Sequence, residues 1–191
     1  MVEAAMHLFW ERGFHANSSG DLVDALGIQR SSFYNAFQSR EALFREAFAL
    51  YTSRQYEAGL SNLPAGTPMV TVLVGLFREK CRFLATDAGV HGCLFVNSLA
   101  ELSGSDHALG EVMTEALRQR VALAARVIRG MVSEGSLRAP PDTGACAQSL
   151  VAFLSGLTLL ARVNRSERGL WEVCRAFLSN LGVDTAAIAA A

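Results

Sequence analysis

At 191 residues and 51% hydrophobic, the chain is long enough for one medium domain, or a small one fused to it, and can fill a buried core. Seventeen basic against eighteen acidic side chains give a net charge of -1, which excludes nucleic-acid binding through overall charge; any such binding must come from a local patch. Four cysteines, far apart and without a CxxC pair or a histidine at finger spacing, argue against structural zinc and a disulfide scaffold, so no metal and no cofactor is expected.

Apolar residues recur at helical spacing in nearly every segment, and the fold class expected is all-α. Val2 to Arg12 forms the first helix, with Ala5, Leu8 and Phe9 on one face, and Gly13 stops it. Met1 leads directly into this helix, and Glu3, His7 and Glu11 lie where a secretory segment needs an apolar block, so the protein is expected in the cytoplasm. "HANSSGD" reads as the start of a second helix, in which Asn17 or Ser18 can cap and Ser18 with Asp21 has capping-box spacing. That helix runs to about Leu26 and ends at Gly27; a third runs from near Gln29 to near Phe37. Ser39 caps a fourth, from Arg40 to about Leu60.

"SNLPAGTP" is the clearest break. After it come a helix over Met69 to Thr86, the interruption "DAGVHG", a helix over Cys93 to Leu102, and a long one from "SGSD" to about Glu134. "GSLRAPPD" breaks the chain again before two last helices, Thr143 to Val163 and Glu167 to Leu181, and an alanine-rich tail expected to fray. Leu150 to Val163 is the most apolar run, but it contains Arg162 and falls short of the roughly 20 residues a spanning helix needs, so no membrane partner is expected.

The sixteen residues from Ala25 to Arg40 contain no Asp or Glu. On a wheel of Ile28 to Phe37, Phe33, Phe37 and Ala36 make a face to bury. Ser31, Tyr34 and Asn35 lie opposite, with Arg30 and Ser32 at the edges. Serine and asparagine can pair with base edges, while arginine, tyrosine and serine donate to phosphates. Gly27 sits at the corner between two short helices, as a helix-turn-helix requires. Arg40 adds charge at a helix start whose N–H groups already favour anions.

Ala5 to Leu43 resembles the N-terminal DNA-binding domain of the TetR (tetracycline repressor) family of bacterial transcriptional regulators. Leu8-Phe9, Gly13-Phe14, Asp21-Leu22, Ala25, Gly27-Ile28, Tyr34, Phe37 and Ser39 to Leu43 carry the likeness. His91 to Leu102, "HGCLFVNSLAEL", resembles a segment of one branch of that family. The resemblance implies a three-helix DNA-binding domain over residues 1–46 and a helical effector-binding and dimerisation domain over 47–191. It implies a regulator, not an enzyme, released from a pseudo-palindromic double-stranded operator by a small-molecule effector. Carried over by position, Arg30, Ser31, Ser32 and Asn35 face bases or nearby phosphates, while Tyr34, Arg40 and the helix start at Asn17 and Ser18 hold the backbone. The family pattern also has a basic segment and an extra helical turn ahead of Val2. With those absent from this sequence, and six acidic residues against four arginines in the first fifty, the expectation is either modest affinity or a native start upstream of Met1.

The effector is expected among Phe77, Cys81, His91, Cys93, Asn97, Glu101, Met113 and Leu117, with Asn97 and Glu101 either orienting it or satisfied within the core. Cys93 follows Gly92 at a helix start, where a thiolate is favoured, which makes a thiol-based redox or electrophile sensor an alternative. A helical effector-binding dimer with a degenerate reading head is the other. Leu150, Phe153 and Leu157 with Leu170, Cys174, Phe177 and Leu181 are expected to form a four-helix homodimer interface, since a helix apolar nearly all round must be covered on every side.

Overall fold

Several helices in this chain begin where the sequence supplies side-chain caps. The computed structural model describes residues 1–55, 63–64, 66–104 and 108–183. Their elements are α1 (Val2–Arg12), α2 (Ser19–Leu26), α3 (Arg30–Phe37), α4 (Arg40–Ser53), α5 (Met69–Ala85), a 3₁₀ turn (Ala88–His91), α6 (Leu94–Leu102), α7 (Ala108–Ser133), α8 (Thr143–Leu160) and α9 (Glu167–Leu181). No strand occurs among the described residues.

The expected capping box closes the start of α2. The Ser18 hydroxyl accepts from Asp21 N at 3.1 Å, and Ser18 N donates to the Asp21 carboxylate at 2.8 Å. The Ser18 hydroxyl, donating to the Asp21 carboxylate, and then the Ser18 N–H hold that carboxyl below the usual carboxylate range, so the cap's contribution is present above that range and is lost as pH falls through the lowered value. Ser39 caps α4 through Ala42 N, Asp142 caps α8 through Gly144 N and Ala145 N, and Ser166 caps α9 through Gly169 N. Helix α4 stops at Ser53, short of the expected Leu60. The Thr52 hydroxyl donates to the Phe48 and Ala49 carbonyls and the Ser53 hydroxyl to Leu50 O, side-chain bonds that compete with the helical ladder. Ser105 and Asp106 of the "SGSD" helix start, and the alanine-rich tail, fall outside the described residues.

The chain divides into two compact units. The first joins Met1–Ala58 to Cys93–Glu115, and so holds α1 to α4, α6 and the start of α7. Its centre is aromatic. Phe9 and Phe14 both meet Phe44 edge-on, at ring separations of 5.2 and 5.3 Å, and Trp10 meets Tyr51 at 5.3 Å. Phe33 and Phe37 anchor α3 as expected, 0% and 5% exposed. Ala36 is exposed instead, because two phenylalanines one turn apart already fill the seat of so short a helix.

The second unit comprises Gly59–Gly92 and Ala116–Ala191. Its core gathers α5, the later part of α7, α8 and α9 around Phe77, Ile128, Met131, Leu150, Leu157, Leu170 and Leu178. Phe153 and Phe177 stack at 3.9 Å, with Phe77 alongside. Pro68 offers α5 no side-chain cap, and the Glu134 carboxylate takes over, accepting from Met69 N at 2.8 Å and Val70 N at 3.0 Å.

Four residues of the expected subunit contact are core of this unit: Leu150, Leu157, Leu170 and Cys174 are all under 5% exposed. Phe153, Phe177 and Leu181 are partly buried against that core. An all-round apolar helix satisfies its own chain first. What α8 leaves exposed is another face, carrying Ala145, Ser149, Ala152, Gly156, Leu159, Leu160 and then Val163. Leu159 is 56% and Val163 91% exposed, and Val173 lies at the edge of the exposed face of α9. By length and composition alone α8 could also cross a bilayer.

Candidate nucleic-acid interface

Two turns make the reading head. Gly27 follows α2 with φ 63° and ψ 33°, a left-handed conformation that a side chain would strain, and its N–H bonds back to the end of α2. The chain then enters α3 two residues later through extended Gln29. At the far end of α3, Gln38 takes φ 63° and ψ -41°, and Ser39 N donates to Phe37 O at 2.7 Å. This is a γ-turn, a strained three-residue reversal, and it sets α4 off at a sharp corner from α3.

With Phe33 and Phe37 buried, α3 turns Arg30, Ser31, Ser32, Tyr34 and Asn35 outward; all five are exposed. The Arg30 guanidinium reaches back over the start of α2, where a Cβ on Gly20 would lie 3.9 Å from its Nη2 and 3.5 Å from the Ser18 hydroxyl. One surface therefore presents a guanidinium, hydroxyls, an amide and a phenol, with no carboxylate between Ala25 and Arg40. Such a surface can donate to phosphates and pair with base edges.

Two residues expected to hold the DNA backbone are engaged within the fold. Asn17 is fully buried, and its side-chain amide donates to Leu8 O at 3.2 Å and Gly13 O at 2.6 Å. It knits the α1–α2 corner, with its side chain closed off from the surface. Arg40 is in the first place a strap: Nη1 donates to Asn17 O at 3.1 Å, and the guanidinium lies 4.0 Å over the Phe14 ring. The same arginine stands 3.7 Å from the Glu41 carboxylate. Ser18 is exposed, its hydroxyl engaged in the cap.

Glu101, expected either to orient an effector or to be satisfied within the core, holds that same corner. Its two carboxylate oxygens accept from Phe14 N at 2.9 Å and His15 N at 2.7 Å. Gly13 makes room for it: a Cβ there would meet Glu101 Oε2 at 2.8 Å, and its φ of 85° with ψ 175° is a conformation essentially confined to glycine. Sequence reasoning missed this clasp, although "RGF" carried half of the signal in a glycine that both ends a helix and precedes a buried ring.

The other expected effector residues divide between the units. Cys93, Asn97 and Met113 belong to the first; Cys93 is 1% exposed and accepts from the Tyr51 hydroxyl at 3.4 Å. Phe77, Cys81, His91 and Leu117 belong to the second. There Phe77 is core, Cys81 touches Cys174, the His91 carbonyl accepts from Arg162, and Leu117 packs partly buried on the core.

Residues 1–47 match the family model for bacterial regulatory proteins, tetR family, and residues 71–177 match that for the tetracyclin repressor-like C-terminal domain. The chain is 26% identical to the HTH-type transcriptional repressor ComR of Escherichia coli, over 90% of this chain and 82% of that one. It is 27% identical to the repressor DhaR of a Mycobacterium species, over 89% and 84%. A cysteine-substituted form of the TetR family regulator CifR, solved on a 26-base-pair double-strand operator, superposes with a TM-score of 0.75 at 29% identity, over 90% of each chain.

Proposed function

We propose how this chain, which belongs to the TetR family of bacterial regulatory proteins, reads its operator. It is a helix-turn-helix transcriptional regulator and not an enzyme. In our reading α3 lies in the major groove, with Asn35 and Ser31 at base edges, while Arg30, Ser32, Tyr34 and Ser18 meet nearby phosphates. The single observation behind this assignment is the exposed, carboxylate-free face that the burial of Phe33 and Phe37 leaves on α3. Arg40 and Asn17 act one step back, fixing the corner from which α2 and α3 depart.

Variants at three positions test the assignment. Tyr34→Phe, which removes one phosphate donor, is expected to weaken specific and random duplexes alike. Asn35→Ala is expected to cost about 1–3 kcal/mol on the operator and to relax its sequence preference. Arg40→Ala should weaken all binding and lower the melting temperature as well. Equal losses from all three on operator and random DNA, at unchanged stability, would contradict these roles.

A homodimer accounts for the apolar face of α8. Small residues at Ala152 and Gly156 let two helices approach closely, and Leu159, Leu160 and Val163 supply apolar area. A two-fold dimer reads a pseudo-palindrome with half-sites one helical turn apart, or a multiple of it. Changing Leu159 and Val163 together to glutamate is expected to give a folded monomer by sedimentation with operator binding lost; an unchanged dimer would remove this face from the contact. Residues 47–191 would also take the effector, an apolar or amphipathic small molecule, with Phe77 and Leu117 as its contacts in the second unit. Such a molecule acts only through a difference in affinity between the DNA-bound and released states. A protein working on bacterial operators acts in the cytoplasm, and we place it there.

A further inference from the structure

Helices α5 and α9 cross with their two cysteines at the point of contact. Cys81 Sγ and Cys174 Sγ lie 3.4 Å apart, both thiols 0% exposed. The crossing is held on every side. The Arg78 guanidinium stacks 3.7 Å over the Trp171 ring, Phe77 stacks on Phe177 at 6.1 Å, and Arg82 Nε stands 3.7 Å from the Glu167 carboxylate. The sulfurs are thus kept together by contacts that do not involve them, and a bond requires them to close from 3.4 Å to about 2.05 Å. We propose that Cys81 and Cys174 are a dithiol site that a hydroperoxide converts to an intramolecular disulfide, tying α5 to α9. The inference is independent of how the protein reads DNA.

The two thiols are not equivalent. Either thiol can donate across the contact; with Cys81 ionised Cys174 donates to it, which holds the Cys81 thiol below its ordinary range against the opposing effects of burial and the Glu167 carboxylate, with the nearby Arg78 charge helping. The same bond, together with burial, pushes the Cys174 thiol up. Cys81 is therefore the attacking sulfur. Its thiolate displaces at the peroxide O–O bond, forming S–O and, with one proton, releasing the alcohol, or water from hydrogen peroxide. With the Cys81 charge gone, Cys174 gives up the proton that charge had held. Its sulfur attacks Cys81, the S–S bond forms, the S–O bond breaks, and hydroxide leaves with that proton as water. Two thiols lose two electrons to one peroxide. Hydrogen peroxide is close to water in size and reaches such a site through local opening, and a resolving thiol already in contact closes the bond before further oxidation.

The other cysteines serve as internal comparisons. Cys93 accepts from Tyr51, and Cys146 is partly exposed with its thiol pushed up by burial. The test treats the reduced, desalted protein with hydrogen peroxide, blocks remaining thiols with iodoacetamide in denaturant, and maps an unreduced digest by mass spectrometry. The expected product is a peptide pair joined through Cys81 and Cys174, lighter by two hydrogens than the separate reduced peptides. Dithiothreitol reverts it, and Cys81→Ser or Cys174→Ser abolishes it. Recovery of both cysteines alkylated, or carrying sulfinic or sulfonic oxygens, or joined to Cys93 or Cys146 instead, overturns the proposal. The wild-type map decides the question even where a serine variant folds poorly.

Discussion

Replacing Phe33 with alanine is expected to destabilise the reading head by about 3–5 kcal/mol, the usual cost of emptying a phenylalanine site in a packed core. Phe33 is fully buried and meets Phe37 edge-on at 5.7 Å and Tyr34 at 5.3 Å. It is the main anchor of an eight-residue helix too short to persist by itself. Without it, α3 has only Phe37 to seat it, and the γ-turn at Gln38 has less packing to offset its strain. Urea melts should show the lower midpoint, and operator binding should be lost at temperatures where the second unit's core still melts cooperatively. A melt within 1 kcal/mol of wild type would mean that α3 is held by something other than this ring.

Glu101→Ala is expected to have the next largest effect. It strips the acceptor from two backbone N–H groups, and an unsatisfied donor out of solvent costs about 1–3 kcal/mol. The Phe14 N–H is the more protected of the two, while His15 is exposed. Glu101→Gln keeps one acceptor oxygen and the side-chain length, so it should fall between alanine and wild type. Gly13→Ala separates the clasp from the backbone it grips. Its new Cβ would meet the carboxylate, and its φ/ψ pair is costly for any side chain by about 1–3 kcal/mol. Combining it with Glu101→Ala relieves the clash but not the backbone strain, so the double variant should remain less stable than Glu101→Ala alone. Full recovery would show that steric contact was the whole cost of the Gly13 change. Because the corner orients α2 and α3, specific binding should fall more than random-duplex binding in Glu101→Ala at temperatures where the variant is folded.

The helical plan was legible in the sequence because its punctuation is chemical. Ser18 with Asp21, Ser39, Asp142 and Ser166 mark helix starts, and Gly27 and Gly182 follow helix ends in left-handed conformations. The exposed face of α3 was legible too, since two phenylalanines one turn apart fix which side is buried. Long-range contact was not legible. Glu101 on α6 is 87 residues from the N–H of Phe14, and Cys81 is 93 from Cys174. No local periodicity announces that α6 returns to the α1–α2 corner, or that α5 and α9 cross at their cysteines. Asn17 misled for a related reason. An asparagine beside a helix start reads as an exposed cap, but its amide is the right length to close the preceding turn onto Leu8 O and Gly13 O. On α8 the apolar stripe announced more apolar surface than one core needs but not its division, because Leu150 and Leu157 pack inside the chain while Leu159 and Leu160 stay outside beside the small Ala152 and Gly156.

In our reading a slightly acidic protein binds DNA through one carboxylate-free surface. Fluorescence anisotropy of the reduced protein on the intergenic duplex beside its own gene, with a random duplex of equal length and salt varied, tests it most directly. Tight binding to the intergenic probe, a steep fall with rising salt and a clear margin over the random duplex are the predicted result. Equal affinity for both duplexes at every salt concentration would contradict it.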